Sequence, residues 1–196
     1  MSVEVKICGF TRPEDLTMAA ELGVNYCGFV LVSSSRRRAS PELIRHAPRG
    51  VKTVFVVAGL EIAAVNGLVR EYRPDVIQLH GGEPPEFARA VVGAEVWRAF
   101  HLASEQDVEL AAVYPASRIV ADASQGGSGR VCDWRLAARL AERKPVMLAG
   151  GIAPENAAAA AAAGRFAGID VAGGSEIAPG VKSREKILQI IRSVKV

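Results

Sequence analysis

The side chains able to act on a small molecule fall in short stretches, each closing an apolar run. The first run closes on Lys6-Ile7-Cys8-Gly9, a thiol followed by a glycine. The second leads into Ser33-Ser34-Ser35-Arg36-Arg37-Arg38, and the fourth into Gln78-Leu79-His80-Gly81-Gly82. The sixth ends on Asp122, followed by Ser124-Gln125-Gly126-Gly127-Ser128-Gly129. The seventh gives Gly150-Gly151, and the eighth gives Asp170 followed by Ala172-Gly173-Gly174-Ser175-Glu176. A thiol and a carboxyl can move protons as base and acid. Arginine can grip an anion. A glycine pair ahead of a Pro154-led helix lets backbone N–H groups approach an anion without side-chain obstruction.

Each of these residues also has an ordinary role. A strand cysteine usually packs as a small hydrophobe, and its thiol is only slightly ionised at neutral pH unless a cation acts on it. Asp122 serves equally as a loop cap. Three consecutive arginines are by default a solvated basic patch, and His80 suits tying down its own loop as well as chemistry. What lifts Cys8 above packing is its place before a glycine at the end of the first strand.

The elements that must position these groups alternate along the whole chain. Strand-like runs occupy 3–8, 26–32, 51–57, 75–79, 94–100, 117–121, 145–149 and 168–171. Their near-continuous hydrophobicity suits parallel strands covered on both faces. Helix-like segments lie near 13–22, 41–47, 61–72, 84–92, 104–113, 133–142, 154–163 and 183–194. Thr11-Arg12-Pro13-Glu14-Asp15 offers a cap, a proline in the first turn and acidic residues at the positive helix end. The run from Ala157 to Ala163 favours helix and meets Gly164 at its end.

Eight strand–helix pairs mean right-handed parallel crossovers, in either an open doubly wound sheet or a closed barrel. No G-x-G-x-x-G follows the first strand and no G-x-x-x-x-G-K-[ST] occurs, which lowers the weight of nucleotide-binding sheets. Glycine pairs instead follow strands seven and eight, where barrels commonly hold phosphate. The reading is α/β: a compact, parallel-stranded, single-domain (β/α)8 TIM barrel over residues 1–196, its active site at the C-terminal ends of the strands.

Composition agrees with a globular chain. With 196 residues, 49% hydrophobic and 23% charged, it can bury one substantial core. A net charge of +3 without a block of like charge gives no nucleic-acid surface. The start MSVEVKICGF lacks a basic region leading into an apolar one, so no secretion signal is expected and the chain is read as cytoplasmic. No apolar run approaches the ~18 residues that span a bilayer. Cys8, Cys27 and Cys132 are too few and scattered for a disulfide framework or a zinc site.

Taken in order, VKICGFT, SSRRRASPE, IQLHG, Asp122 with GGSG and Asp133-Trp134, LAGGIAPEN, and Gly168-Ile169-Asp170 with Glu176, Pro179-Gly180 and Lys182 carry a resemblance over the whole chain. Together they resemble the phosphoribosylanthranilate isomerases of tryptophan biosynthesis. The resemblance implies an Amadori rearrangement of N-(5-phosphoribosyl)anthranilate, with no metal and no organic cofactor, by a monomer or a homodimer. It matches the catalytic cysteine to Cys8 and the catalytic aspartate to Asp122. It matches the arginine engaging the anthranilate carboxylate to Arg37, counting back from Ser40-Pro41-Glu42. It matches the phosphate site to the backbone of Gly150 and Gly151 and to Ala172, Gly173 and Gly174, with His80 among the substrate-binding residues.

Those types fit the chemistry: a carboxyl kept protonated by burial can open a sugar ring, and a cysteine can take the acidified carbon-bound proton. The chain departs from the family where Asp-Val-Ser-Ser-Gly-Val-Glu is usual and Asp170-Val171-Ala172-Gly173-Gly174-Ser175-Glu176 stands instead. Two hydroxyls are lost, which leaves phosphate to backbone N–H groups, with Ser175 as a helper. The Asp122–Gly126 loop is shorter than usual, and Cys132 stands where an aromatic commonly precedes Asp133. The other readings are a non-catalytic phosphosugar-binding paralogue, which would need neither Cys8 nor Asp122, and a phosphosugar isomerase of different substrate choice, which would leave Arg37 without a partner.

Overall fold

The computed structural model describes residues 3–122 and 134–194. Eight parallel strands close into a barrel: β1 (Glu4–Cys8), β2 (Tyr26–Val30), β3 (Lys52–Val57), β4 (Val76–Leu79), β5 (Glu95–His101), β6 (Arg118–Asp122), β7 (Val146–Leu148) and β8 (Gly168–Val171). Each pairs with the next in sequence, and β8 closes on β1, with Lys6 beside Asp170. The barrel reading therefore holds, and the open sheet is excluded.

Alternation along each strand divides the apolar residues into two cores. Val5 and Ile7 of β1 face the helices, in a shell shared with Phe29, Phe55, Ile77, Ile119 and Ile169. Cys8 faces the barrel axis with Tyr26, Val54, Val56, Val76, Trp97, Val120, Met147 and Ala149. At the N-terminal end of the barrel, Arg118 pairs with Glu4 and lies over the Trp97 ring at 5.1 Å. Conversion of that end into a polar plug serves stability and leaves the opposite mouth for chemistry.

The outer layer is α1 (Pro13–Glu21), α2 (Ile62–Tyr72), α3 (Pro85–Arg89), α4 (Glu105–Val113), α5 (Trp134–Ala141), α6 (Ala157–Ala162) and α7 (Arg184–Val194). Several segments differ from the periodicity reading. Residues 41–46 form a 3-10 turn: Ser40 caps it by accepting from Glu42 N, and Ala47 before Pro48 is extended, as a residue preceding proline tends to be. The 84–92 segment stops at Arg89, because the Val92 amide is taken by the Asn66 side chain and Gly93 turns at φ +89°. The alanine helix begins only after Asn156, whose side chain instead braces the loop ahead of it, accepting from Ala153 N and donating to Gly151 O. Thr11 does not cap α1; its hydroxyl donates to Gly180 O across the chain.

One element was not anticipated. After β8 a short 3-10 turn (Gly173–Ser175) leads into an antiparallel hairpin of β9 (Glu176–Ala178) and β10 (Val181–Lys182). Its turn is Pro179-Gly180, with Gly180 at φ +84°, a dipeptide that marks turns in sequence. The hairpin is tied to α1 by the Lys182 amide, which donates to the buried Asp15 carboxylate at 3.0 Å. No helix among the described residues is long and apolar enough to cross a membrane.

Candidate active site

The C-terminal ends of the strands surround a cavity of about 740 Å³. All nine residues singled out from sequence line it: Cys8, Arg37, His80, Asp122, Gly150, Gly151, Ala172, Gly173 and Gly174. The segment 123–133, with the glycine-rich run and Cys132, lies outside the described residues.

Cys8 closes β1 on the interior face, and Gly28 of β2 is its register partner. A Cβ at Gly28 would come 2.8 Å from the Cys8 sulfur, so glycine there makes the room in which the thiol sits. Burial pushes the thiol's pKa upward; Lys6 opposes this, Asp170 adds to it, and Lys182 opposes it. Cys27, by contrast, packs outward in the apolar shell and is pushed up to about 12 by burial. It is an inert packing residue.

Asp122 ends β6, separated from β1 by β7 and β8, and faces the same cavity. The His80 Nε2 lies 3.8 Å from its Oδ2. Burial lowers the His80 pKa against the pull of Asp122 and Asp170, with Lys6 and Arg98 lowering it further, so the ring is neutral at pH 7. With the Gln78 amide donating into Nδ1 at 3.2 Å, the ring proton sits on Nε2, on the Asp122 side. His80 thus faces the cavity, beside Asp122.

Arg37 is the arginine the fold anchors. Its Nε lies 2.9 Å from both oxygens of Glu176, and its Nη2 is 2.8 Å from Oε2. Its stem crosses Gly9, where a Cβ would strike Arg37 Cδ at 2.6 Å. Arg36 lines the cavity too, but it is exposed. Glu176 in turn accepts from Lys182 Nζ at 2.9 Å, and Lys182 donates to Cys8 O at 2.5 Å. Burial would raise the Glu176 carboxyl, but Arg37 and Lys182 together hold it below its ordinary value. The hairpin therefore braces the Cys8 main chain and Arg37 through one buried carboxylate.

Gly150 (φ +83°) and Gly151 (φ +69°) adopt the left-handed backbone that glycine tolerates. Gly174 packs directly under the loop after β7: a Cβ there would fall 2.0 Å from Ile152 O. The loops after β7 and β8 are thus fused into one main-chain cradle. Ser175 takes no part in it. It is fully buried and its hydroxyl donates to Ala172 O at 2.7 Å, so the expected help from that side chain is corrected. Gly174→Ala is expected to destabilise the fold by about 1–3 kcal/mol through this backbone collision, read as a drop in the denaturant midpoint. An unchanged midpoint would show that the two loops can part.

Sequence reasoning quoted Lys6, Gln78, Asp170 and Glu176 at strand ends and Lys182 in a motif, but gave none of them a role. Two buried oxygens, Gln78 Oε1 and Asp170 Oδ1, have no hydrogen-bond partner among the described residues, and both side chains line the cavity. They are acceptors suited to donors on a hydroxyl-rich ligand. Among the described residues no group of three or more His, Cys, Asp and Glu side chains is placed to hold a metal ion.

Comparison with known proteins places this arrangement. Residues 5–193 match the family model for N-(5'-phosphoribosyl)anthranilate isomerase. The isomerase of Geobacter metallireducens is 39% identical over 201 residues, covering 98% of this chain and 99% of that one. The crystal structure of the phosphoribosyl anthranilate isomerase from Thermus thermophilus is 41% identical and superposes with a TM-score of 0.90, over 97% and 98% of the two chains. A further isomerase structure, in complex with reduced 1-(o-carboxyphenylamino)-1-deoxyribulose 5-phosphate, is 32% identical with a TM-score of 0.88, over 98% of each chain. A closed barrel with a cysteine, an aspartate, an anchored arginine and a glycine cradle around one mouth, matched in sequence and shape along nearly its full length, belongs to the N-(5'-phosphoribosyl)anthranilate isomerase family.

Proposed function

We propose that the chain converts N-(5-phosphoribosyl)anthranilate to 1-(2-carboxyphenylamino)-1-deoxy-D-ribulose 5-phosphate, with Asp122 as general acid and Cys8 as general base. The observation that carries this reading is the placement of those two groups on non-adjacent strands of one cavity, between an anchored guanidinium and a bare main-chain cradle.

Asp122 gives its proton to the ring oxygen as the C1–O bond breaks, and the anthranilate nitrogen supplies its lone pair to form the iminium. That cation acidifies the C2 proton, which passes to the Cys8 sulfur while the C–H electrons form the C1–C2 double bond. The resulting enolamine returns to the ketone by losing the hydroxyl proton at C2 and gaining one at C1. Each positioned acid or base contributes ~10²–10⁴-fold. The phosphate, held by the N–H groups of Gly150, Gly151 and the 172–174 turn, fixes the sugar at a distance from the bonds that change. Gln78 and Asp170 offer acceptors for its hydroxyls.

Arg37 faces the anthranilate carboxylate in this reading. Arg37→Ala is expected to raise KM for the substrate by ~10–100-fold, the scale of a lost charged hydrogen bond, while binding of ribose 5-phosphate, which has no carboxylate, stays within about twofold of the parent. The same loss appearing only in Arg36→Ala would move the assignment by one residue. The direct test of the function is the purified protein supplied with phosphoribosylanthranilate, with loss of its fluorescence as the readout. Firm binding of phosphosugars without turnover would favour a binding paralogue instead.

A further inference from the structure

We propose that Lys6 is a positioning residue for Cys8: its ammonium, sealed inside the barrel and anchored on Asp170, is the fixed charge that steadies the Cys8 sulfur as a thiolate. The inference rests on Cys8 being the base of the isomerisation.

Lys6 stands two residues before Cys8, so the strand's alternation puts both on the interior face. It is fully buried, and its Nζ lies 2.6 Å from Asp170 Oδ2 on the neighbouring strand. Burial alone would strip an ammonium of its proton. Here the charge of Asp170, with the Cys8 sulfur adding to it, overcomes that and raises the lysine above its ordinary value. The lysine is therefore charged at neutral pH.

Stability is a poor reason for such a pair, since an apolar pair of similar volume often serves a core as well or better. Its position under the thiol supplies a different one. The charged and titratable groups acting on Cys8 are Lys6 and Asp170 below, and Lys182 and Arg37 from the hairpin side. Cys27 lies beyond the sheet, and His80 and Asp122 lie across the mouth. Lys182 and Arg37 are both held by Glu176, which offsets much of their charge. Asp170 works against the thiolate, but less strongly than Lys6 works for it. Burial remains the largest influence on the sulfur and keeps its pKa raised; among the charges around it, Lys6 is the one that opposes this most.

Alkylation of Cys8 by iodoacetamide across pH, read from the mass of the Cys8 peptide, reports the thiolate without any turnover. Lys6→Met/Asp170→Asn removes both charges and leaves no unpaired buried ion. Its alkylation midpoint should rise by about half a pH unit or more, and the ascending limb of kcat/KM should rise with it, since about one unit is a tenfold loss of thiolate. Lys6→Arg, which keeps the charge, should hold the parent midpoint. A folded double variant with the parent's midpoint overturns the proposal. Should the double variant fail to fold, the unaltered protein decides: the Lys6 Nζ nuclear resonance must shift at the Cys8 midpoint, and a resonance blind to that step also overturns it. A parent protein that turns over no substrate would sink the functional reading, while the alkylation shift still measures the coupling on its own.

Discussion

Cys8→Ala is expected to fold as the parent does and to lose isomerase turnover by ~10²–10⁴-fold. The two halves of that expectation have separate causes. The sulfur occupies a gap defined by Gly28 and the interior cluster, so its removal leaves a void of roughly one methyl group, worth about 1 kcal/mol. An alanine side chain, however, has nowhere to put the C2 proton. Lys6 and Lys182 are cations that cannot accept it, and Asp170 already holds Lys6. Steady-state fluorescence assays, paired with a denaturation curve, separate the two effects. A folded Cys8→Ala protein with kcat near the parent's would remove Cys8 from the mechanism.

Asp122→Asn is expected to reduce kcat by a similar ~10²–10⁴-fold with KM nearly unchanged. The amide keeps the shape of the carboxyl and can stand beside the neutral His80 ring as the carboxyl does, with Nε2 3.8 Å from Asp122 Oδ2. It cannot deliver an acidic proton to the ring oxygen, so opening of the ribose becomes the slow step. That gives a check a merely structural role would not produce. With deuterium at C2, Asp122→Asn should show almost no isotope effect, because the labelled bond breaks after the barrier. Cys8→Ser, whose hydroxyl is the poorer base, should show a large one. Equal isotope effects in the two variants would falsify the division of labour between β6 and β1.

These residues were legible in the sequence to different depths, for physical reasons. Cys8, Asp122 and the Gly150-Gly151 pair end runs of near-continuous hydrophobicity, and strand alternation with parallel closure forces such ends to one rim. Arg37 could be placed only by counting from Ser40-Pro41-Glu42. In the fold it is separated from Arg36 and Arg38 by its contact with Glu176, 139 positions further along. Ser175 illustrates the reverse. As a hydroxyl beside the glycines it reads as a phosphate ligand, but the 3-10 turn rotates it inward to its own loop. The hairpin after β8 was missed because its strands are three and two residues long, too short to show a period.

The sequence by itself determined the barrel, the rim on which chemistry must lie and the residue types presented there. Those follow from local periodicity and from turn residues, which act over a few positions. Only the tertiary structure decided how that chemistry is supported. Lys6 meets Asp170 across 164 positions, and Lys182 meets the Cys8 carbonyl across 174. Both contacts exist because closure of β8 onto β1 brings the two ends of the chain together, and charge acts through space rather than along the sequence.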